Sequence, residues 1–333
     1  MPYSIERKLV VAVSSRAVFD LEEANKIFDE SGIEAYRAYQ RSRINDRLGK
    51  GVAFPFVRRL LALNDLYPEQ QPVEVVVLSR NSPETGRRFF RSCKEYGLNI
   101  SRGAFLSGED PYHFVGAFNA SVFLSANEND VSKATGLGIP AGLVLPGASE
   151  DDDTDGDFRI AFDFDGVLAD DQAETVYGDG RLDLFHKHEV ENASVPHDAG
   201  PLKDLFTKIG YFQRLEAKRA LSDKLYKPAM RVAIVTARNH PADERVVTTL
   251  NAWGMEAAEL FLMGGIEKKR VLEVLKPHIF FDDQRVHLDK AASVVPSVWI
   301  PFGFRNKAQA EAAVHEVAGE AQRKTSTDAR TGA

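Results

Sequence analysis

Short apolar runs that stop at polar turns alternate along the whole chain with stretches of helical spacing. Residues 8–13 (KLVVAV) form a β-branched run ending in Ser14-Ser15-Arg16, and Phe19–Glu30 then reads as a helix with acids in its first turns. Residues 49–63 carry apolar positions at helical spacing. Val73–Leu78 is a second strand, stopped by Ser79-Arg80-Asn81-Ser82-Pro83 and followed by a helix over Glu84–Tyr96. After a turn at Gly97 come strands at 104–106 and 120–124, a helix around Asp130–Thr135 and a strand at 141–145. Strands that alternate with helices predict an α/β fold in which a parallel sheet is covered on both faces.

The chain also resembles itself. Val76–Pro83 (VVLSRNSP) lies against Ile234–Pro241 (IVTARNHP), Gly97 against Gly254, Phe105–Gly108 against Phe261–Gly264, and Val122–Asn127 against Ile279–Gln284. The opening strands match too, Ala12–Val18 facing Ala161–Val167. The two halves differ at strand ends: Asp163 faces Ser14, Asp165 faces Arg16, Thr236 faces Leu78, and Asp282 and Asp283 face Ser125 and Ala126. This predicts an internally duplicated fold. Residues 1–146 form a degenerate half without metal-binding aspartates, 147–157 an acidic linker, 158–305 the half with the chemistry, and 306–333 a C-terminal helix and disordered tail. The first half could serve as a packing partner, a homo-oligomer surface or a regulatory ligand pocket.

Composition narrows the partners. Of 333 residues, 44% are hydrophobic and 27% charged, enough for a large core without staples. A net charge of −7 argues against a nucleic acid polymer or an anionic membrane and leaves room for a local phosphate pocket. The single cysteine, Cys93, forms no intramolecular disulfide and reads as a structural thiol. Neither a signal peptide nor an apolar run of membrane-spanning length is evident, so a cytoplasmic location is expected. The Asp-rich stretch 146–157 lacks the glycine and terminal glutamate of an EF-hand loop and reads as a solvated linker.

Candidate chemistry sits at four strand ends of the second half. Asp163-Phe164-Asp165-Gly166 closes an apolar run, and residues two apart on a strand point the same way, so the two carboxylates call for a hard divalent cation, Mg²⁺ above all. Thr236-Ala237-Arg238 closes the second strand. Lys268 or Lys269 opens a helix after Gly264-Gly265, and Asp282-Asp283 closes Ile279-Phe280-Phe281. Carboxyl ends of parallel strands converge on one crevice. There Asp163 can attack phosphorus, Asp165 can protonate the leaving oxygen and then activate water, and Thr236 with Ala237 can bind phosphoryl oxygens. The lysine offsets transition-state charge, and Asp163, Asp165, Asp282 and Asp283 hold the metal.

These four stations resemble the haloacid dehalogenase superfamily, whose fold is a parallel-sheet, Rossmannoid α/β domain. More closely, Ala12–Ala17, Gly51–Pro55, Leu78–Pro83, Ala161–Asp163, Gly200–Lys203, Val235–Arg238, Gly264-Gly265 and Phe280–Arg285 resemble the cytosolic 5′-nucleotidase I family over residues 8 to 305. The resemblance implies Mg²⁺-dependent hydrolysis of nucleoside 5′-monophosphates such as AMP and IMP through an aspartyl-phosphate, selects Lys268, and places a helical cap at about 170–229. Phe164 stands where the family often has glycine. In the cap, His186, His188 and Lys203 are candidates for substrate contact beside Arg238; residues 186 and 188 do not share a helix face, which argues against zinc. Rival readings are a phosphatase or phosphotransferase for another small phosphate monoester, and a nucleotide-sensing binding protein with a vestigial site.

Overall fold

The computed structural model describes residues 5–306 except 7, 148–150, 153, 174–180, 256–258 and 304–305. The expected C-terminal helix and tail lie outside the described residues. In the first half the strands are β1 (Leu9–Val13), β2 (Phe19–Asp20), β3 (Gly49–Lys50), β4 (Val73–Ser79), β5 (Arg102–Phe105), β6 (Val122–Ser125) and β7 (Ala141–Val144). The second half adds β8 (Phe158–Phe162), β9 (Met230–Thr236), β10 (Glu259–Leu262), β11 (Ile279–Asp282) and β12 (Ser297–Trp299). The helices used below are α1 (Ser15–Val18), α2 (Glu22–Ser42), α3 (Phe54–Leu66), α4 (Pro83–Glu95), α5 (Glu128–Gly136), α6 (Leu182–Glu191), α7 (Lys203–Ser222), α8 (Asp243–Ala252), α9 (Lys269–Leu275) and α10 (Arg285–Ala291).

Among the described residues one sheet of ten strands runs β10-β9-β8-β11-β12-β7-β6-β1-β4-β5. Each half contributes five strands in the same order, read outward from a central seam. Every pairing in it is parallel except that seam, where β12 meets β7 antiparallel through Val298↔Val144 and Trp299↔Leu143. Alternation divides the strands between two cores. Leu9, Val11, Val13, Ile160, Phe162, Ile234 and Phe281 face one side, and Val10, Ala12, Ala161, Val235 and Phe280 face the other. Burial on both faces is why the strands read as unbroken apolar runs.

Backbone hydrogen bonds give the correspondence between halves. Ser14 N donates to Leu124 O at 2.8 Å as Asp163 N does to Phe281 O at 2.7 Å, and Asn127 N reaches Ser125 Oγ as Gln284 N reaches Asp282 Oδ1. At the second strand the correspondence differs by one residue from the expected pairing. Leu106 N donates to Ser79 O and Met263 N to Thr236 O, both at 2.9 Å, while Asn81 N reaches Ser79 Oγ and Arg238 N reaches Thr236 Oγ1. The geometric counterpart of Thr236 is therefore Ser79, not Leu78, and that of Arg238 is Asn81, not Arg80. Runs of similar apolar residues tolerate a one-residue slip on paper; the side-chain alternation of a sheet does not.

Other expectations shift. Phe19 and Asp20 pair with Lys50 and Gly49 as short strands, and the helix expected from Phe19 is instead α2, which spans Glu22–Ser42 with a break at Gly32 (φ 76°). The acidic stretch is exposed at Asp152 and Thr154, but the Asp151 side chain is only 1% exposed, bound by Arg59, Arg58 (2.9 Å) and Lys50 (3.4 Å). The insertion between β8 and β9 is not a cap throughout. Leu205, Phe206, Ile209 and Phe212 place α7 in the core, with Phe206 edge-on to Phe162 at 5.5 Å. In the first half's crevice Arg80 bonds Asp130 (2.7 Å), Gly108 O (2.8 Å) and Asp110, whose carboxylate also accepts from buried Tyr112.

Candidate active site

Asp163 and Asp165 follow the end of β8, and Gly166 (φ 70°) turns the chain beside Asp283. A Cβ at Gly166 would lie 2.7 Å from the Asp283 Cγ, so only glycine admits this approach without displacement. Lys268 lies directly before α9. Its Nζ bridges Asp163 Oδ2 at 2.6 Å and Asp282 Oδ2 at 2.8 Å, while Lys269 turns outward to Glu273 at 3.7 Å. The fold thus brings Lys268, and not its neighbour, into the crevice. Burial alone would lower the Lys268 pKa, but Asp163 and Asp282 hold it above the ordinary lysine value. Burial pushes the Asp163 carboxyl up to about 6, helped by Asp282 and Asp165 and opposed by Lys268. Burial also acts to raise Asp282, yet Lys268 and His287 keep it below the usual carboxylate range.

One ligand atom each from Asp163, Asp282 and His287 lie within 4.8 Å of one another. Around them five buried carboxylates, Asp163, Asp165, Glu189, Asp282 and Asp283, face three buried cations, Lys268, Arg238 and Arg245. The cluster holds more carboxylates than arginine and lysine side chains, and its oxygen-rich donor set suits a hard divalent ion. Of the four aspartates expected to hold a metal, Asp163 and Asp282 belong to this cluster. Asp165 instead spends both oxygens on Arg238, Oδ2 on Nε at 2.8 Å and Oδ1 on Nη2 at 2.7 Å, and Asp283 packs against Gly166.

A cavity of about 300 Å³ adjoins this cluster at Asp165 and His287; Ala237, Arg238, Gly264 and Gly265, with Leu182 and Phe185 of α6, also line it. Thr236 is buried at the end of β9, and its Oγ1 accepts from Arg238 N. His186 Nε2 meets Asn239 Oδ1 at 2.8 Å and so ties α6 to the turn after β9. His188 and Lys203, both expected near substrate, do not line this cavity: His188 pairs with Glu189 at 3.1 Å, and Lys203 lies 4.9 Å from the Trp253 ring.

The sequence reading missed His197, Arg245 and His287 as site residues and gave Glu189 no role of its own. Glu189, fully buried, accepts from Arg238 and from Arg245 at 2.9 Å, and lies 3.2 Å from His197 Nε2. Burial acts to raise its carboxyl pKa, but His197 and Arg238 hold it far below the usual range. A local signal existed for Glu189, which falls one helical turn after Phe185 and so shares its face. None existed for His197 or Arg245, which come from other elements.

The chain matches the family model described as 5′-nucleotidase over residues 1–307. It is 33% identical over 313 residues to human cytosolic 5′-nucleotidase 1B, a match covering 92% of this chain and 50% of the relative. The chain therefore spans about half the length of that curated relative. No solved structure matches it.

Proposed function

Since the chain belongs to the 5′-nucleotidase family, we propose that it hydrolyses nucleoside 5′-monophosphates of the AMP and IMP kind to nucleoside and phosphate, in the cytoplasm and with Mg²⁺. The observation that carries this reading is Lys268 bridging Asp163 and Asp282 in a cluster with His287, which lines the cavity together with Asp165 and Arg238. An Asp163 oxygen attacks phosphorus in line as the bond from phosphorus to the ribose oxygen breaks, and Asp165 gives that oxygen its proton. Asp165 then takes a proton from water, whose oxygen attacks the aspartyl-phosphate and releases Asp163 and phosphate. Thr236, with backbone N–H groups of its turn, binds phosphoryl oxygens, and Lys268 offsets the charge that accumulates on them. Asp163 and Asp282, with Asp165 and Asp283 beside them, would hold Mg²⁺, which when bound screens the anionic nucleophile from the anionic phosphate. Phe185 and Leu182 offer an apolar wall to the nucleoside.

The first half is a copy of the same plan without the chemistry. The identical strand order supports this, as does the occupation of its crevice by Arg80, Asp110 and Asp130. The test is phosphate release from nucleoside 5′- and 3′-monophosphates and sugar phosphates, with Mg²⁺ or EDTA, beside Asp163→Asn. Selective, cation-dependent turnover of 5′-nucleotides that is lost in the variant is expected. Preference for sugar phosphates would refute the substrate class, and no turnover by folded, Mg²⁺-loaded protein would refute the enzyme reading.

A further inference from the structure

We infer that Glu189 is a positioning residue for proton transfer to the leaving oxygen: through Arg238 it fixes the direction of the Asp165 carboxylate, and so couples the seating of α6 to that step. The inference rests on the reading just given. Arg238 grips Asp165 through two parallel N–H···O bonds, so the plane of the guanidinium sets the plane of the carboxylate. An arginine side chain has many rotamers, and its own plane must be set from behind. Arg238 Nη1 donates to Glu189 and to Ala242 O at 3.1 Å, and Nη2 lies 3.0 Å from His197 Nε2. Four of the five guanidinium hydrogens thus go to Asp165, Glu189 and Ala242 O, and Glu189 is the charged acceptor opposite Asp165.

Glu189 is itself held rigidly. Its second oxygen accepts from Arg245 of α8 at 2.9 Å, so one carboxylate joins α6, α8 and the turn after β9. Phe185, one helical turn before it on α6, lines the substrate cavity. A displaced α6 would therefore release the Arg238 plane together with the cavity wall. Merely structural buried ion pairs are commonly replaceable by apolar groups; a carboxylate that orders an arginine onto a proton donor is not.

The experiment compares a nucleoside 5′-monophosphate with its analogue in which sulfur replaces the bridging 5′ oxygen. Both present the same base, ribose and phosphate, but a thiolate leaves without being protonated, whereas an alkoxide needs the proton from Asp165. Glu189→Gln should lower kcat/KM for the oxygen substrate by about 10- to 100-fold and for the sulfur analogue by less than about threefold. If Glu189→Gln does not fold, Glu189→Asp, which keeps the charge and withdraws it by one methylene, should show the same selective loss to a smaller degree. Parallel losses on the two substrates, or no loss on either, would overturn the inference while the proposed activity stands. Failure of the unaltered protein to hydrolyse any 5′-nucleotide would refute the activity and this inference with it.

Discussion

Replacing Gly166 by alanine tests whether the turn after the aspartate pair is shaped by its contact with Asp283. Two costs add. At φ 70° a Cβ costs roughly 1–2 kcal/mol of backbone strain. The new methyl would also stand 2.7 Å from the Asp283 Cγ and Oδ2 and 3.1 Å from its Cβ; moving that buried side chain adds about 1–3 kcal/mol. Gly166→Ala should thus lose about 2–5 kcal/mol in urea unfolding without a divalent ion. Asp283→Ala removes the two nearest atoms and leaves the Cβ, a tight contact that small shifts relieve. In that background Gly166→Ala should cost only the backbone part, about 1–2 kcal/mol. A cost equal in both backgrounds would refute the contact, and a cost below about 0.5 kcal/mol in the native background would refute the strain as well.

Further outcomes follow from the charges. The Asp163 carboxyl is pushed up to about 6 from 3.8, so its neutral form suits the cation-free fold: its contribution is full below about pH 4 and lost as pH rises through 6. Asp163→Asn should therefore abolish turnover, and in EDTA its stability relative to the unaltered protein should rise between pH 4 and pH 7.5; urea titrations in which that difference falls over this range would contradict this. His278 is held down to about 4 by burial and by Arg59 and Arg159, so its contribution is present above pH 6.5 and lost as pH falls through 4; His278→Gln should flatten the acid limb of a stability profile by about 3 kcal/mol. Arg59→Met leaves buried Asp151 with Arg58 and Lys50 alone and should cost about 3 kcal/mol in chemical denaturation; a change near zero would show the acidic stretch to be a free linker. Calorimetric titration with Mg²⁺ should find one ion per chain, because among the described residues only the second half carries an excess of buried carboxylates; two equivalent ions would sink that charge argument.

The strand ends were legible because they depend on local rules. Alternation along β8 and the glycine after it put Asp163 and Asp165 in one crevice, and parallel strands carried Thr236, Lys268 and Asp282 there. What sequence alone left open was decided by rotation about a helix axis. Lys268 and Lys269 are equivalent on paper, yet one sits just before α9 facing two aspartates and the other faces Glu273. The extent of the cap was misread for the opposite reason, since a legible signal went unused: Leu205, Phe206, Ile209 and Phe212 recur at helical spacing, which marks a helix buried against a sheet. The network around Glu189 had no such pattern. Asp165, Glu189, His197, Arg238 and Arg245 come from five separate segments, and although Asp165 and Arg238 stand out at strand ends, nothing in any one stretch joins them to the other three. Their burial makes sense only when they are taken together, because a buried charge is tolerated when partners offset it and those partners can lie anywhere in the chain. The first half illustrates the converse. Where Ser14 and Ser125 stand in the places of Asp163 and Asp282, no lysine is needed between them, and Arg80 turns instead to Asp110 and Asp130. The apolar framework thus fixes where a site can form, and the buried charge carried at the strand ends decides whether one does.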